Sequence, residues 1–244
     1  MNVGCFELCV PGERLDEKLK ALELYGIWIE IANKGKREDL DILGSFSVEA
    51  KSVQAYRLHD LSLISSDLGI RKKALRHVKK TIDLANDIGA ERVITVPSYG
   101  HSFIKEPVKK AVDVFEELCG YALDSGVQIL VEALSPEKTS FLPSLDEVAS
   151  LVNMVSFENI WLLADTGHLN NMEVEVLTAI QEFGDLVKEI HLKGENSGPP
   201  SKGSIPFKDV LDTYKEIPMC LEYRSNYHVE DFQEAIRYLR NYLH

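Results

Sequence analysis

The chain has 244 residues, of which 45% are apolar, enough for two small domains or for one large α/β barrel. Lys and Arg number 27 and Asp and Glu number 39, so the formal net charge is −12. An acidic chain disfavours nucleic acid as a partner, because phosphate binding depends on Lys and Arg. No apolar run reaches the roughly 18 residues that a membrane span needs.

The four cysteines, Cys5, Cys9, Cys119 and Cys220, lie in apolar segments and form no CxxC pair. This pattern predicts small buried side chains in a reducing compartment. The first residues also lack the basic start and long apolar stretch of a signal peptide. We therefore expect a cytoplasmic protein.

Apolar segments of strand type alternate with helical patterns along the whole chain. The strands are predicted at residues 3–10, 27–32, 52–59, 91–97, 127–134, 159–164, 186–193 and 217–223. Helices are predicted at residues 13–25, 38–43, 70–88, 107–125, 145–155, 173–183, 207–214 and 229–243.

Strands that are apolar on both faces and alternate with helices indicate a parallel sheet. Eight such units in about 250 residues predict one (β/α)8 TIM barrel spanning residues 1–244, in the α/β class. The rival is an open doubly wound sheet, which would favour a glycine-rich phosphate loop after an early strand, and the chain has no GxGxxG sequence.

Asp165 closes the sixth strand, and His168 follows three residues later. A carboxylate at the end of a buried strand needs a cation or hydrogen bonds to remain ionised. The pair is therefore a candidate metal or catalytic site. An Asp that caps the next helix would leave the same sequence pattern.

Active sites of (β/α)8 barrels lie at the carboxyl ends of the strands. Strands five to eight of the prediction end near Glu132, Asp165, His191 and Glu222. Carboxylates this close together would repel one another in an apolar barrel, and a divalent cation removes that conflict. Three carboxylates and one imidazole suit Mn²⁺, Mg²⁺, Co²⁺ or Zn²⁺.

The chain resembles the xylose isomerase-like TIM-barrel superfamily, which includes sugar epimerases, hydroxypyruvate isomerase, inosose dehydratase and endonuclease IV. The matching pieces follow one another in order along the whole chain. They are VEAL with Glu132, LLADTGH with Asp165 and His168, EIHLKG with His191, GSIPF at 203–207, and LEY with Glu222.

The resemblance implies that Glu132, Asp165, His191 and Glu222 bind one divalent metal, with Mn²⁺ the first expectation. It also implies that Glu132 and Glu222 act as acid and base on a keto sugar through an enediolate, and that His168 contacts a substrate oxygen. The implied function is isomerisation or epimerisation of a small keto sugar or hydroxy ketone. A homo-oligomer is common in the superfamily.

Two departures from the superfamily pattern concern the segment after the seventh strand. Many relatives carry Asp at the position of Gly194, and endonuclease IV-like proteins carry an Asp-x-His pair in a region that here, at 197–206, has neither residue. DNA repair is therefore the least favoured function. A lyase that expels water from the same enediolate and a non-catalytic sugar-binding barrel remain alternatives.

Weaker signals add candidate substrate contacts at His59, His101 and Lys193, each of which could equally be a rim residue. Period-two counting also places several charged residues toward the barrel interior. Because buried charges should pair, we expect a polar layer of Arg57 with at least one of Glu7, Glu30 and Glu189.

Overall fold

The computed structural model describes residues 2–35, 40–101, 103–201, 203–224 and 229–242. Eight parallel strands are hydrogen-bonded in chain order, and β8 pairs with β1, so the sheet is a closed barrel. The predicted (β/α)8 fold is confirmed. The strands are β1 Val3–Phe6, β2 Trp28–Ala32, β3 Ala50–Gln54, β4 Arg92–Thr95, β5 Gln128–Glu132, β6 Ile160–Asp165, β7 Val187–Leu192 and β8 Met219–Leu221.

Eight α-helices lie in the connections between the strands and after β8, within the residues described; the β2–β3 connection there has a 3₁₀ helix only, and the β6–β7 connection has two α-helices. The eight α-helices are α1 Leu15–Glu23, α2 Leu68–Ile88, α3 Pro107–Leu123, α4 Leu145–Met154, α5 Thr166–Asn171, α6 Val176–Glu182, α7 Phe207–Thr213 and α8 Val229–Arg240. None of them is both long and apolar enough to cross a membrane, within the residues described.

By density of contacts the chain divides into two compact units, one of residues 1–31, 38–51 and 164–244 and the other of residues 32–37 and 52–163. In the second unit, Ile94, Leu130 and Leu163 form a buried cluster against which Trp161 packs. In the first unit, Phe207 and Phe232 are among the largest fully buried side chains. That the 244 residues form a single domain stays a prediction.

The third predicted strand is too long at its carboxyl end. The structure ends β3 at Gln54 and continues with a 3₁₀ helix, Tyr56–His59. Ala55 and Leu58 are both buried, and the Leu58 N–H donates to the Ala55 carbonyl (3.1 Å). Buried residues three positions apart are typical of a 3₁₀ turn. In a strand, residues three apart would point to opposite faces of the sheet.

Two helices also differ from the prediction. The chain enters α5 directly after β6, where no helix is predicted, and the predicted helix at 173–183 is confined to α6. The predicted helix at 38–43 lies partly outside the described residues, and from Leu40 the chain forms a 3₁₀ helix, Leu40–Ser45. Residue 243, the last of the predicted helix at 229–243, also lies outside them.

The ends of β6 and β7 are tied together by one buried hydroxyl. Thr166 Oγ1 donates to the Lys193 carbonyl (2.8 Å) and accepts the Lys193 N–H (2.9 Å). Thr166 is fully buried. This reciprocal pair satisfies both backbone groups of Lys193 where the chain leaves β7.

Replacing Gly4 by Ala is expected to destabilise the fold. Gly4 lies beside Trp28 in the β1–β2 ladder, and an added Cβ would lie 2.1 Å from the indole ring. Overpacking of this kind costs about 1–3 kcal/mol. Urea unfolding would measure the loss. Gly44→Ala is the matched control, because a Cβ there meets nothing within 4 Å; equal losses in both variants would contradict the account.

Thr166→Val should destabilise the protein more than Thr166→Ser. Valine leaves the N–H and the carbonyl of Lys193 without their hydroxyl partner, at a cost of about 1–3 kcal/mol for each buried group left unsatisfied. Serine keeps the hydroxyl and removes only a methyl group. Urea unfolding of the two variants beside the wild type tests this, and a serine variant as unstable as the valine variant would show that the hydroxyl contributes nothing.

Candidate metal centre

Asp165 uses its two carboxylate oxygens for different purposes. Oδ1 accepts the His168 N–H (2.8 Å) and so caps α5. Oδ2 lies 2.6 Å from the Lys193 ammonium. Asp165 is buried, so each oxygen needs such a partner in place of water. Of the two interpretations that the sequence left open, the structure confirms the helix cap, and a role of Asp165 in a metal or catalytic site stays a prediction.

His191 lies on β7 between carboxylates on both sides of its ring. Nδ1 is 3.5 Å from Glu222 Oε2, whereas Nε2 is 3.5 Å from Glu30 Oε2 and 3.6 Å from Glu189 Oε1. The side chains of His191, Glu30 and Glu189 have no exposure to solvent. The imidazole is therefore held by charge on both edges.

The charges around His191 shift its protonation strongly. Burial by itself lowers the pKa of His191, but Glu30, Glu222 and Glu189 together hold that pKa well above its ordinary value. Burial raises the pKa of Glu30 to about 7, although the neighbouring imidazole opposes the shift. A positive charge on His191 offsets the repulsion among the buried carboxylates around it.

Glu222 directly follows β8, and its N–H donates to the Leu192 carbonyl (3.3 Å), which fixes it beside the end of β7. Its Oε2 lies 2.5 Å from the Lys193 ammonium. Burial opposes ionisation of Glu222, yet Lys193 and His191 outweigh it and hold the pKa of this carboxyl well below its usual range. Glu222 is thus a carboxylate despite its small exposure of 14%.

Glu132 ends β5 and is 5% exposed. Its backbone pairs with Leu163 of β6, two residues before Asp165. Among the residues that the structure describes, two sets of acidic, imidazole or thiol side chains have the composition to hold a metal ion. One is Glu132, Asp165, His191 and Glu222, and the other is Glu30, Glu189, His191 and Cys220. Within the first set, ligand atoms of Asp165, His191 and Glu222 lie within 4.8 Å of one another.

The three histidines predicted to contact substrate differ in their exposure to solvent. His168 is buried at the start of α5, close in sequence to Asp165. His59 is exposed on its 3₁₀ helix, where Nδ1 is 2.5 Å from the Tyr56 carbonyl and Nε2 is 3.5 Å from Asp60. His101 is also exposed. Substrate contact by any of them stays a prediction.

The predicted polar layer exists, but Arg57 is not its cation. Arg57 is exposed because it lies beyond the end of β3 on the 3₁₀ helix. Glu30 and Glu189 instead meet His191, and Glu7 lies 3.9 Å from the buried Lys18 ammonium. Lys18 stands four residues before Leu22 on the buried face of α1. This helical spacing is the sequence signal that predicts a buried Lys18 side chain.

The four cysteines are buried and free, as predicted. Cys5, Cys9 and Cys220 belong to the first unit and Cys119 to the second. Burial raises the pKa of the Cys220 thiol well above its ordinary value, and Glu30 and Glu189 add to the shift. Cys220 therefore contributes a neutral thiol beside the polar layer.

Gly194 fills the position where the superfamily resemblance leads to an expected Asp. The loop after β7 folds back on it, because the Gly194 N–H donates to the Gly198 carbonyl (2.8 Å). An added Cβ would lie 2.5 Å from the Pro199 carbonyl oxygen. Only glycine fits under this loop, which gives a steric reason for the departure.

A family profile described as "Xylose isomerase-like TIM barrel" matches residues 1–242. Among curated proteins, L-ribulose 3-epimerase from Mesorhizobium japonicum is 22% identical over 158 residues, which cover 63% of this chain and 53% of that protein. D-psicose 3-epimerase from Enterocloster bolteae is 27% identical over 108 residues, which cover 44% and 36%. The chain therefore spans about half the length of the first relative and less of the second. Both relatives are named as sugar epimerases.

Solved structures share the fold over nearly the whole chain. The 3-keto-D-glucoside 4-epimerase YcjR from E. coli has a TM-score of 0.86 at 14% identity, with 98% of each chain covered. D-allulose 3-epimerase from Methylomonas sp., in complex with D-allulose, has a TM-score of 0.84 at 20% identity, covering 98% of this chain and 95% of that one. The IOLI protein with a bound zinc atom has a TM-score of 0.82 at 21% identity, covering 100% and 98%. Because the family profile matches residues 1–242, the chain belongs to the xylose isomerase-like TIM-barrel family.

Proposed function

We propose that this chain is a divalent-metal-dependent epimerase or isomerase of a small keto sugar. The proposal rests on one observation: ligand atoms of Asp165, His191 and Glu222 lie close together. Each of these residues is at or next to the carboxyl end of a different barrel strand. Active sites of this fold lie at that end. The names of the relatives, which are 3-epimerases of ribulose and psicose, supply the substrate class.

The proposed metal ligands are Glu132, Asp165, His191 and Glu222. The donors fit a divalent ion, because three carboxylates and one imidazole combine the hard and borderline ligands that such ions accept. The surroundings fit as well, since positive charge already stabilises Asp165 and Glu222. Glu132 is included on its position, at the end of the strand that pairs with β6.

Manganese is the first candidate for the metal, and zinc, magnesium and cobalt are the others. The bound zinc of the IOLI protein supports a metal at a site of this fold without fixing its identity here. Glu30 and Glu189 lie beside Nε2 of His191, so Nδ1, which faces Glu222, is the ligand atom we propose. A carboxylate behind a metal-bound histidine commonly sets this orientation.

The bound metal would polarise a substrate carbonyl and the neighbouring hydroxyl, which makes the hydrogen on the carbon between them acidic. Glu222 directly follows β8 and lies among the proposed ligands, so we propose that its carboxylate accepts that proton. Glu132 would return a proton on the opposite face. Epimerisation needs this pair of carboxyl groups, whereas a single base would return the proton to the face it came from.

His168 and Lys193 are proposed to bind substrate oxygens, His168 because it is buried three residues from Asp165 and Lys193 because its ammonium lies at Asp165 and Glu222. His59 and His101 are kept as more distant substrate contacts, although both are exposed. A cytoplasmic location, a homo-oligomer and the absence of nucleic-acid and membrane partners stay predictions.

The purified wild-type protein should contain or take up one equivalent of a divalent metal, measured by elemental analysis after dialysis against Mn²⁺. A variant with both Glu132→Gln and His191→Ala should lose it, because two of four ligands are gone. The exposed His59→Ala variant serves as the control and should keep the metal. A wild type that takes up no Mn²⁺, Zn²⁺, Co²⁺ or Mg²⁺ would overturn the proposal.

Metal-loaded protein incubated with ketohexoses and ketopentoses in D₂O should incorporate deuterium at the carbon next to the carbonyl and yield the epimer without mass loss. Glu222→Gln should lower the rate by about 10²–10⁴-fold, the usual contribution of a positioned acid or base. The exposed Glu13→Gln variant should match the wild type. Mass spectrometry and sugar chromatography report both outcomes.

The same experiment separates the rival functions. A product that is lighter than the substrate by one water molecule would indicate a lyase that begins with the same proton abstraction. Metal and sugar binding with no exchange would indicate a non-catalytic sugar-binding barrel. Cleavage of abasic-site DNA by the metal-loaded protein would revive the endonuclease function that the acidic charge and the segment at 197–206 disfavour.

A further inference from the structure

Lys193 places its ammonium between two of the proposed metal ligands. Nζ lies 2.6 Å from Asp165 Oδ2 and 2.5 Å from Glu222 Oε2, and the side chain is only 12% exposed. Such short contacts to two carboxylates from different strands make this ammonium a cation at the centre of the site. A lysine that only covered the barrel edge would keep its head group in water.

The base of this side chain is fixed by the fold. Thr166 binds both backbone groups of Lys193, and the methylene chain packs over Gly167, where an added Cβ would lie 2.8 Å from Lys193 Cγ. The ammonium can therefore leave the two carboxylates only by rotation about the outer bonds of the side chain.

A divalent metal and this ammonium need the same two oxygen atoms. Both cations cannot lie within bonding distance of Asp165 Oδ2 and Glu222 Oε2, because like charges at such separations repel strongly. Resting on the proposed metal site, we propose that Lys193 is an internal cation that competes with the metal for Asp165 and Glu222 and is displaced when the metal binds.

The charges also indicate where the displaced ammonium goes. Three carboxylates with one divalent ion and a neutral imidazole carry a net charge of −1, which the ammonium neutralises if it stays nearby. Because its base is fixed, Lys193 stays in the site and donates to a substrate oxygen. Metal binding thereby converts Lys193 from a partner of the carboxylates into a substrate ligand.

Competition predicts a change that a purely structural ion pair does not. Lys193→Met removes the competing cation, so the dissociation constant for Mn²⁺, measured by calorimetry, should fall at least about tenfold. If Lys193 only supported the two carboxylates, its loss would leave Mn²⁺ binding unchanged or weaker. Lys208→Met is the matched control, because it removes an exposed lysine whose pair with Asp212 (3.0 Å) lies on the surface.

A second measurement uses the wild-type protein and so does not depend on a variant that folds. Brief acetylation followed by mass spectrometry should show Lys193 reacting at least about threefold faster after Mn²⁺ loading, because its ammonium has left the two carboxylates. Lys208 in the same digest should react equally with and without the metal. Unchanged reactivity of Lys193 in a protein shown to hold Mn²⁺ would overturn the proposal.

The outcomes distinguish this inference from the proposed function. If neither the wild type nor Lys193→Met binds any of the four metals, the metal site itself fails and the competition fails with it. If the wild type binds Mn²⁺ and Lys193→Met binds it no more tightly, the metal site stands and the competition is wrong. Tighter binding by Lys193→Met and faster acetylation of metal-loaded wild type support both.

Discussion

A buried imidazole has to coexist with three carboxylates that have little or no exposure to water, and this constraint organises the site. His191 has Glu30 and Glu189 on one edge of its ring and Glu222 on the other, at 3.5–3.6 Å. Removing the imidazole would take away the opposite charge that these carboxylates meet, which is costly in a buried site. The barrel meets the constraint by taking the four groups from β2, β7 and the end of β8.

The same principle explains why positive groups lie where they do. Lys193 reaches back to Asp165 and Glu222, and Lys18 turns inward from α1 to Glu7. Both lysines have a long apolar side chain that packs against the protein while the ammonium meets a carboxylate. A metal bound at Asp165 and Glu222 would thus enter a site already arranged for a cation.

Much of this could be predicted from the sequence. Eight apolar strands alternating with helices determine a closed barrel, and the fold then brings strand ends such as Asp165, His191 and Glu222 to one side. Local periodicity failed where tertiary contacts decide the backbone. Ala55 and Leu58 turn into a 3₁₀ helix, which carries Arg57 to the surface, and the cation beside Glu7 comes from α1, distant in sequence. Pairing between distant charges leaves no signal in any short stretch.

The close approach of the loop to Gly194 constrains how this site can change over generations. An aspartate at that position would have its Cβ inside the volume of the Pro199 carbonyl, so the substitution is accessible only if the loop is rebuilt as well. Residue 194 and the loop after β7 therefore have to change together. An engineered aspartate at this position needs a rebuilt loop, because the single substitution would push the Pro199 carbonyl out of its place.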